Sequence, residues 1–140
     1  MSVSIDSMAA EIIKSLQRYG EAVSEDVDAA AETAAKHAKQ KLNERSPVGK
    51  TGSYRKGWTI KREKRAKSGG QAAVAVWNKT DYRLTHLLET PHARVDWGRR
   101  TGLQSTPIPH IAQVQEEAAA EFEELVKKAA THRRIGIRRN

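Results

Sequence analysis

The sequence predicts an α+β fold in which a long N-terminal helix and a C-terminal helix pack on a small antiparallel β-sheet, with a short helix between. Three observations predict it. Apolar stripes with helical spacing occupy both ends of the chain, period-two alternation flanks a Ser-Gly-Gly turn in the middle, and no segment repeats. At 140 residues the chain fits one domain. That domain is placed at residues 1 to 130, with residues 131 to 140 as a basic, flexible C-terminal tail.

In the first third, Met8, Ile12, Leu16, Tyr19, Val23 and Val27 lead into Ala30, Ala34, Ala38 and Leu42 in steps of three or four. The phase survives Gly20 and Ser24, so one long helix is expected from about residue 6 to 44, ended at Ser46-Pro47. At 1.5 Å per residue it would run to roughly 55–60 Å, longer than a compact domain of this size is wide. Part of it should therefore meet a neighbour. Alternation of Tyr54, Lys56, Trp58 and Ile60 reads as a strand, "KSGGQ" as a turn and "AAVAVWN" as the returning strand. Leu84, Leu87 and Leu88 share one side of a short helix ended by Pro91, "HARVDW" alternates like a third strand, and "GRRTGLQSTPIP" reads as a loop by its glycines and prolines. Ile111, Val114, Ala118, Phe122, Leu125 and Ala129 form the last stripe, over about residues 110 to 130.

Leu, Ile, Val and Phe together number 25, which with a net charge of +8 lies near the composition of disordered chains. Twenty alanines and the helical periodicity argue for order instead, so partner subunits are expected to cover apolar surface that a lone subunit would expose. The absence of cysteine excludes disulfides, thiolate metal sites and cysteine nucleophiles. The N-terminal stretch lacks a basic n-region and the longest aliphatic run, "AAVAVW", is far short of a membrane span, so the chain is read as soluble, unsecreted and without a membrane partner.

Charge is unevenly placed. Residues 46 to 104 carry 13 basic and 4 acidic groups, whereas residues 1 to 45 carry 6 and 8. This concentration points to an anionic partner or to a solvated basic loop. Lys61, Arg62, Lys64, Arg65 and Lys67 crowd the strand end before "SGG" and are the candidates for contact with DNA or with an acidic protein surface.

"VGKTG" is no phosphate loop, because the motif needs glycine where Glu44 stands and a strand where this chain ends a helix. His86, Glu89 and His92 invite three readings: structural or interface side chains, a metal site, or acid-base catalysis. Their spacing matches no established metal motif and no nucleophile is paired to a base, so the structural reading is preferred and neither metal, cofactor nor catalytic residue is assigned. Trp58, Trp77 and Trp97, each expected in a strand, are read as packing anchors in preference to base-stacking platforms.

"SPVGKTGSYRKGW", "VWNKTDYRLTHLLE", "PHARVDWGRRTG" and "PHI" before an acidic, alanine-rich helix, in that order, resemble the HK97 gp10-like family of tailed-bacteriophage proteins, described as tail-completion or head-tail joining components. One departure stands out: Thr90-Pro91 replaces the glycine that family members usually place after the "HLLE" glutamate. The resemblance implies a non-enzymatic structural protein of a phage or prophage virion, assembled in the host cytoplasm as a homo-oligomeric ring at the head-tail junction. Its implied partners are other neck and tail proteins and the DNA in the tunnel. Tyr82, His86, Glu89, His92, Trp97 and His110 would then shape the fold or a subunit contact. A basic nucleic-acid-binding module is the alternative, and a metal-dependent enzyme the more distant one.

Overall fold

The computed structural model describes residues 5 to 63 and 73 to 137. In chain order the elements are α1 (Ile5–Arg45), α2 (Ser53–Lys56), β1 (Trp58–Glu63), β2 (Ala73–Asn78), α3 (Leu84–Glu89), β3 (Ala93–Asp96), β4 (Arg99–Gln104) and α4 (Ile111–Ile137). The α+β class holds. The strands form two separate antiparallel pairs, β1 with β2 and β3 with β4, in place of one sheet.

α1 and α4 run antiparallel, as their side chains show: Arg45 and Lys41 both reach Glu117, His37 reaches Glu121, and Arg133 reaches Asp26. Ala30, Ala34, Ala38 and Leu42 are buried on the face of α1 turned to the body, and Val114 of α4 is 2% exposed. Alanine lets the elements approach closely, and large side chains finish the core where Leu42, Tyr54, Trp58 and Val114 meet. β1 pairs with β2 from Trp58↔Asn78 to Glu63↔Ala73, which puts Trp58, Ile60, Val76 and Val74 on one side. Val76 and Trp58 pack into that core.

Four differences from the sequence reading have local causes. Residues 53 to 56 form a helical turn and not the start of a strand: Gly52 takes φ 69, Lys56 N–H donates to Gly52 O, and the strand begins only at Trp58. Residues 99 to 104 are a strand and not a loop. Register Asp96↔Arg99 leaves a two-residue turn at Trp97-Gly98, with φ 49 and 78, whose twist suits a hairpin return. Gly102, at φ 74, lies in the irregular part of that ladder. Trp97 accordingly sits in a turn, fully solvated, and is not a strand anchor. Finally, α4 continues past residue 130 to Ile137, and Arg133 bonds both Asp26 and the Ala22 carbonyl of α1.

Candidate functional site

The stretch from Tyr82 to His110 divides into a buried joint and a projecting arm. At the joint, His110 is 1% exposed and sits edge-on to the rings of both Tyr54 and Trp58. Its Nδ1 lies 2.8 Å from the Ile108 carbonyl and 3.1 Å from Glu89 Oε1, and its Nε2 lies 2.9 Å from the Tyr54 hydroxyl. Two acceptors at Nδ1 place a proton there, and the Tyr54 hydroxyl, which can donate or accept, is the partner of Nε2. Burial pushes the Tyr54 hydroxyl up to about 12, with the charges of Glu89 and Asp81 acting in the same direction.

Glu89 ends α3 and begins α4. Its carboxylate accepts from the N–H groups of His110, Ile111 and Ala112 at 2.8, 2.8 and 3.3 Å, a side-chain cap at the positive end of a 27-residue helix. Burial by itself would raise this carboxyl, but the Ile111, His110 and Ala112 N–H bonds hold it below its ordinary value. Thr90 follows in an extended conformation, as the next residue, Pro91, requires, and its N–H still closes on the His86 carbonyl. Thr90-Pro91 thus makes the exit from α3 without a glycine.

Two further buried polar residues complete the joint. Ser46, fully buried, accepts from Trp58 Nε1 at 2.8 Å, while Arg55 donates to the Ser46 and Glu44 carbonyls and so ties down the end of α1. Asn78, 1% exposed, donates to the Tyr54 carbonyl at 2.7 Å and accepts from Asp81 N–H at 2.8 Å. Sequence reasoning missed Ser46 and Asn78, since a polar residue that ends a helix or strand looks solvated until its partner's position is known. Trp58 could have pointed to Ser46, because a buried indole N–H needs an acceptor.

The arm is β3–β4. Its base is pinned by Ser105 N–H to His92 O at 2.8 Å and by the Ser105 hydroxyl, which lies 2.7 Å from His92 Nδ1 and accepts from His92 N–H at 3.1 Å. Every residue of both strands is exposed, including Val95, Leu103 and the three arginines 94, 99 and 100.

The structure brings Glu89 and His110 together and leaves the other candidates apart. His86 is exposed on α3, His92 serves the base of the arm, and Tyr82 lies outside under the Arg83 guanidinium. Among the described residues no group of three or more side chains is arranged to hold a metal ion. A cleft of about 580 Å³ between α1, β2 and α4 is lined by Ala34, Ala38, Val76, Val114, Ala118 and Phe122 among others, and Gln115 is the only polar residue among the described ones that line it. Of the five cations before the turn, Arg62 pairs with Glu32 at 2.6 Å and Lys61 lies 3.6 Å from Glu63, while Lys64, Arg65 and Lys67 lie outside the described residues. No helix among the described residues is long and apolar enough to cross a membrane.

In comparisons with known proteins, the family described as "Bacteriophage HK97-gp10, putative tail-component" matches residues 10–90, from the first turns of α1 through α3. No curated protein and no solved structure matches the chain.

Proposed function

Since the chain belongs to the HK97 gp10-like family and is thereby a tail-related bacteriophage component, we propose that it completes the tail at the head-tail junction, assembled there as a ring. The observation that carries this reading is the mismatch between the two long helices. α1 has 41 residues and α4 has 27, about 60 and 40 Å of helix, and the apolar stripe of α1 continues into the part that α4 does not cover. Met8, Ile12, Leu16 and Tyr19 are each more than half exposed there. A stripe of that length in water calls for a neighbouring subunit.

Such a protein works by binding geometry. The joint around His110 fixes the angle between helices and hairpins, so that each subunit presents the same surfaces to its neighbours, and no bond is made or broken. The basic segment of Lys61, Arg62, Lys64, Arg65 and Lys67 would face DNA in the tunnel or acidic surfaces of the adjoining ring. Electron microscopy of particles produced without this protein tests the reading. Filled heads and tails of normal length should accumulate unjoined; normal head-tail junctions in its absence would refute the assignment.

A further inference from the structure

We propose that the outer face of the β1–β2 hairpin holds single-stranded nucleic acid, with one unpaired base stacked on Trp77; this names the partner of the basic segment and rests on the reading of that segment as an anion contact. In the register Thr59↔Trp77 and Lys61↔Ala75, these four residues and Glu63 stand on the side opposite the one that carries Trp58 and Val76 into the core. Trp77 thus lies in a strand, as its sequence context predicts, but it is 41% exposed and turned away from the core.

Cations flank the indole at both ends. Lys61 stands diagonal to Trp77 across the ladder, about 7–8 Å away and within reach of a long side chain. Lys79, two positions along from Trp77, extends the ladder by donating its N–H to the Gly57 carbonyl at 2.8 Å, and Lys56 precedes that glycine. All three lysines are exposed, and among the described residues their one acidic partner is Glu63, 3.6 Å from Lys61 with both side chains mostly in solvent. Such a pair is weak in water, so the Lys61 charge stays available. Arg62, on the inner side, is taken by Glu32, and Asp81, the next acid along the chain, accepts from the Ser53 hydroxyl at 2.6 Å.

Charge and ring together select the occupant. An acidic protein surface answers the lysines alone. A duplex offers phosphates, yet its bases are paired and stacked on one another, which leaves the indole without a partner. A single strand supplies both at once: a phosphate at every nucleotide for the lysines, and an unpaired base with a flat face for Trp77. Because every base has such a face, sequence preference should be slight.

Titration of the full-length protein with a fluorescently labelled oligothymidylate tests the site. Affinity should fall as salt rises, and Lys61→Gln and Lys79→Gln should each lower the slope of log affinity against log salt by about 0.7. Trp77→Ala should weaken binding roughly 5- to 150-fold, the loss of one base–aromatic stack, and Trp77→Phe, which keeps a ring, should recover most of it. Trp97→Ala, exposed on the arm, should leave the affinity unchanged. Trp77→Lys adds charge while removing the ring; if it tightens binding, the contact is charge alone and the stacking is wrong. If oligothymidylate fails to bind at low salt, if a blunt duplex binds as tightly, or if polyglutamate binds in its place, the inference falls while the ring reading stands. The ring reading falls separately, on particles with normal head-tail junctions in the absence of the protein.

Discussion

Tyr54 and His110, 56 positions apart, share a buried hydrogen bond of 2.9 Å that links the entry to the first hairpin with the start of the last helix. Tyr54→Phe removes the hydroxyl and takes from buried Nε2 the partner it has here, a loss of about 1–3 kcal/mol. Urea denaturation at neutral pH should show a lower midpoint with an unchanged slope. His110→Gln should recover less than half of the tyrosine contact, since an amide cannot reproduce both ring contacts.

The same pair sets an alkaline limit. The folded hydroxyl titrates at about 12, above its ordinary value of 10.0, so the neutral form is favoured by folding. That contribution is complete below pH 10 and is lost as pH rises through the folded value. Thermal melts between pH 9 and 12 should fall less steeply for Tyr54→Phe than for the parent chain.

Glu89 sets an acid limit of opposite sign. Its folded value is depressed, so the unfolded chain takes up protons first as pH falls; its stabilisation is present above about pH 4.3 and is lost as pH drops through the folded value. Glu89→Gln keeps an acceptor but not the charge. It should cost roughly 0.5–2 kcal/mol at pH 7 and flatten the acid side of the stability profile.

Gly57 is constrained by space and not by its backbone angles, which are right-handed helical. A Cβ there would stand 2.5 Å from Asn78 Oδ1 and closer still to Thr80 Oγ1. Gly57→Ala should therefore destabilise by roughly 1–3 kcal/mol, as overpacking in a filled site does. Equal stability of the two proteins in chemical denaturation would contradict the placement of Asn78.

The long elements were legible because period and length agree over many residues. The stripes of α1 and α4 and the β1–β2 alternation each average over a dozen positions or more, and local exceptions such as Gly20 do not disturb them. The alternation of "HARVDW" shows β3, but β4 reads as a loop for the same reason in reverse. Gly98 and Gly102 look like loop residues, and only the pairing with β3 shows that one makes the turn and the other sits in an irregular ladder. A structural role for Glu89 and His110 is what the family resemblance implies, but their mutual contact depends on how α3 meets α4. Ser46 and Asn78 remained invisible because burial of a polar group depends on partners 12 and 24 positions away.

Leu16 and Leu42 separate folding from assembly on a single helix. They stand on the same apolar stripe of α1, yet Leu42 is 4% exposed in the core and Leu16 is 65% exposed. Leu42→Ala should cost about 2–5 kcal/mol, through lost contacts and the cavity left behind. Leu16→Ala, at a side chain left mostly in solvent, should shift the stability of the isolated subunit by no more than about 0.5 kcal/mol. Its effect belongs to association: sedimentation velocity across a dilution series should show the Leu16 variant, and more strongly the Ile12→Ala, Leu16→Ala double variant, dissociating at concentrations where the parent stays assembled. Unaltered assembly of the double variant would mean that the bare stripe is merely solvated, and that the extra length of α1 has a purpose other than meeting a neighbour.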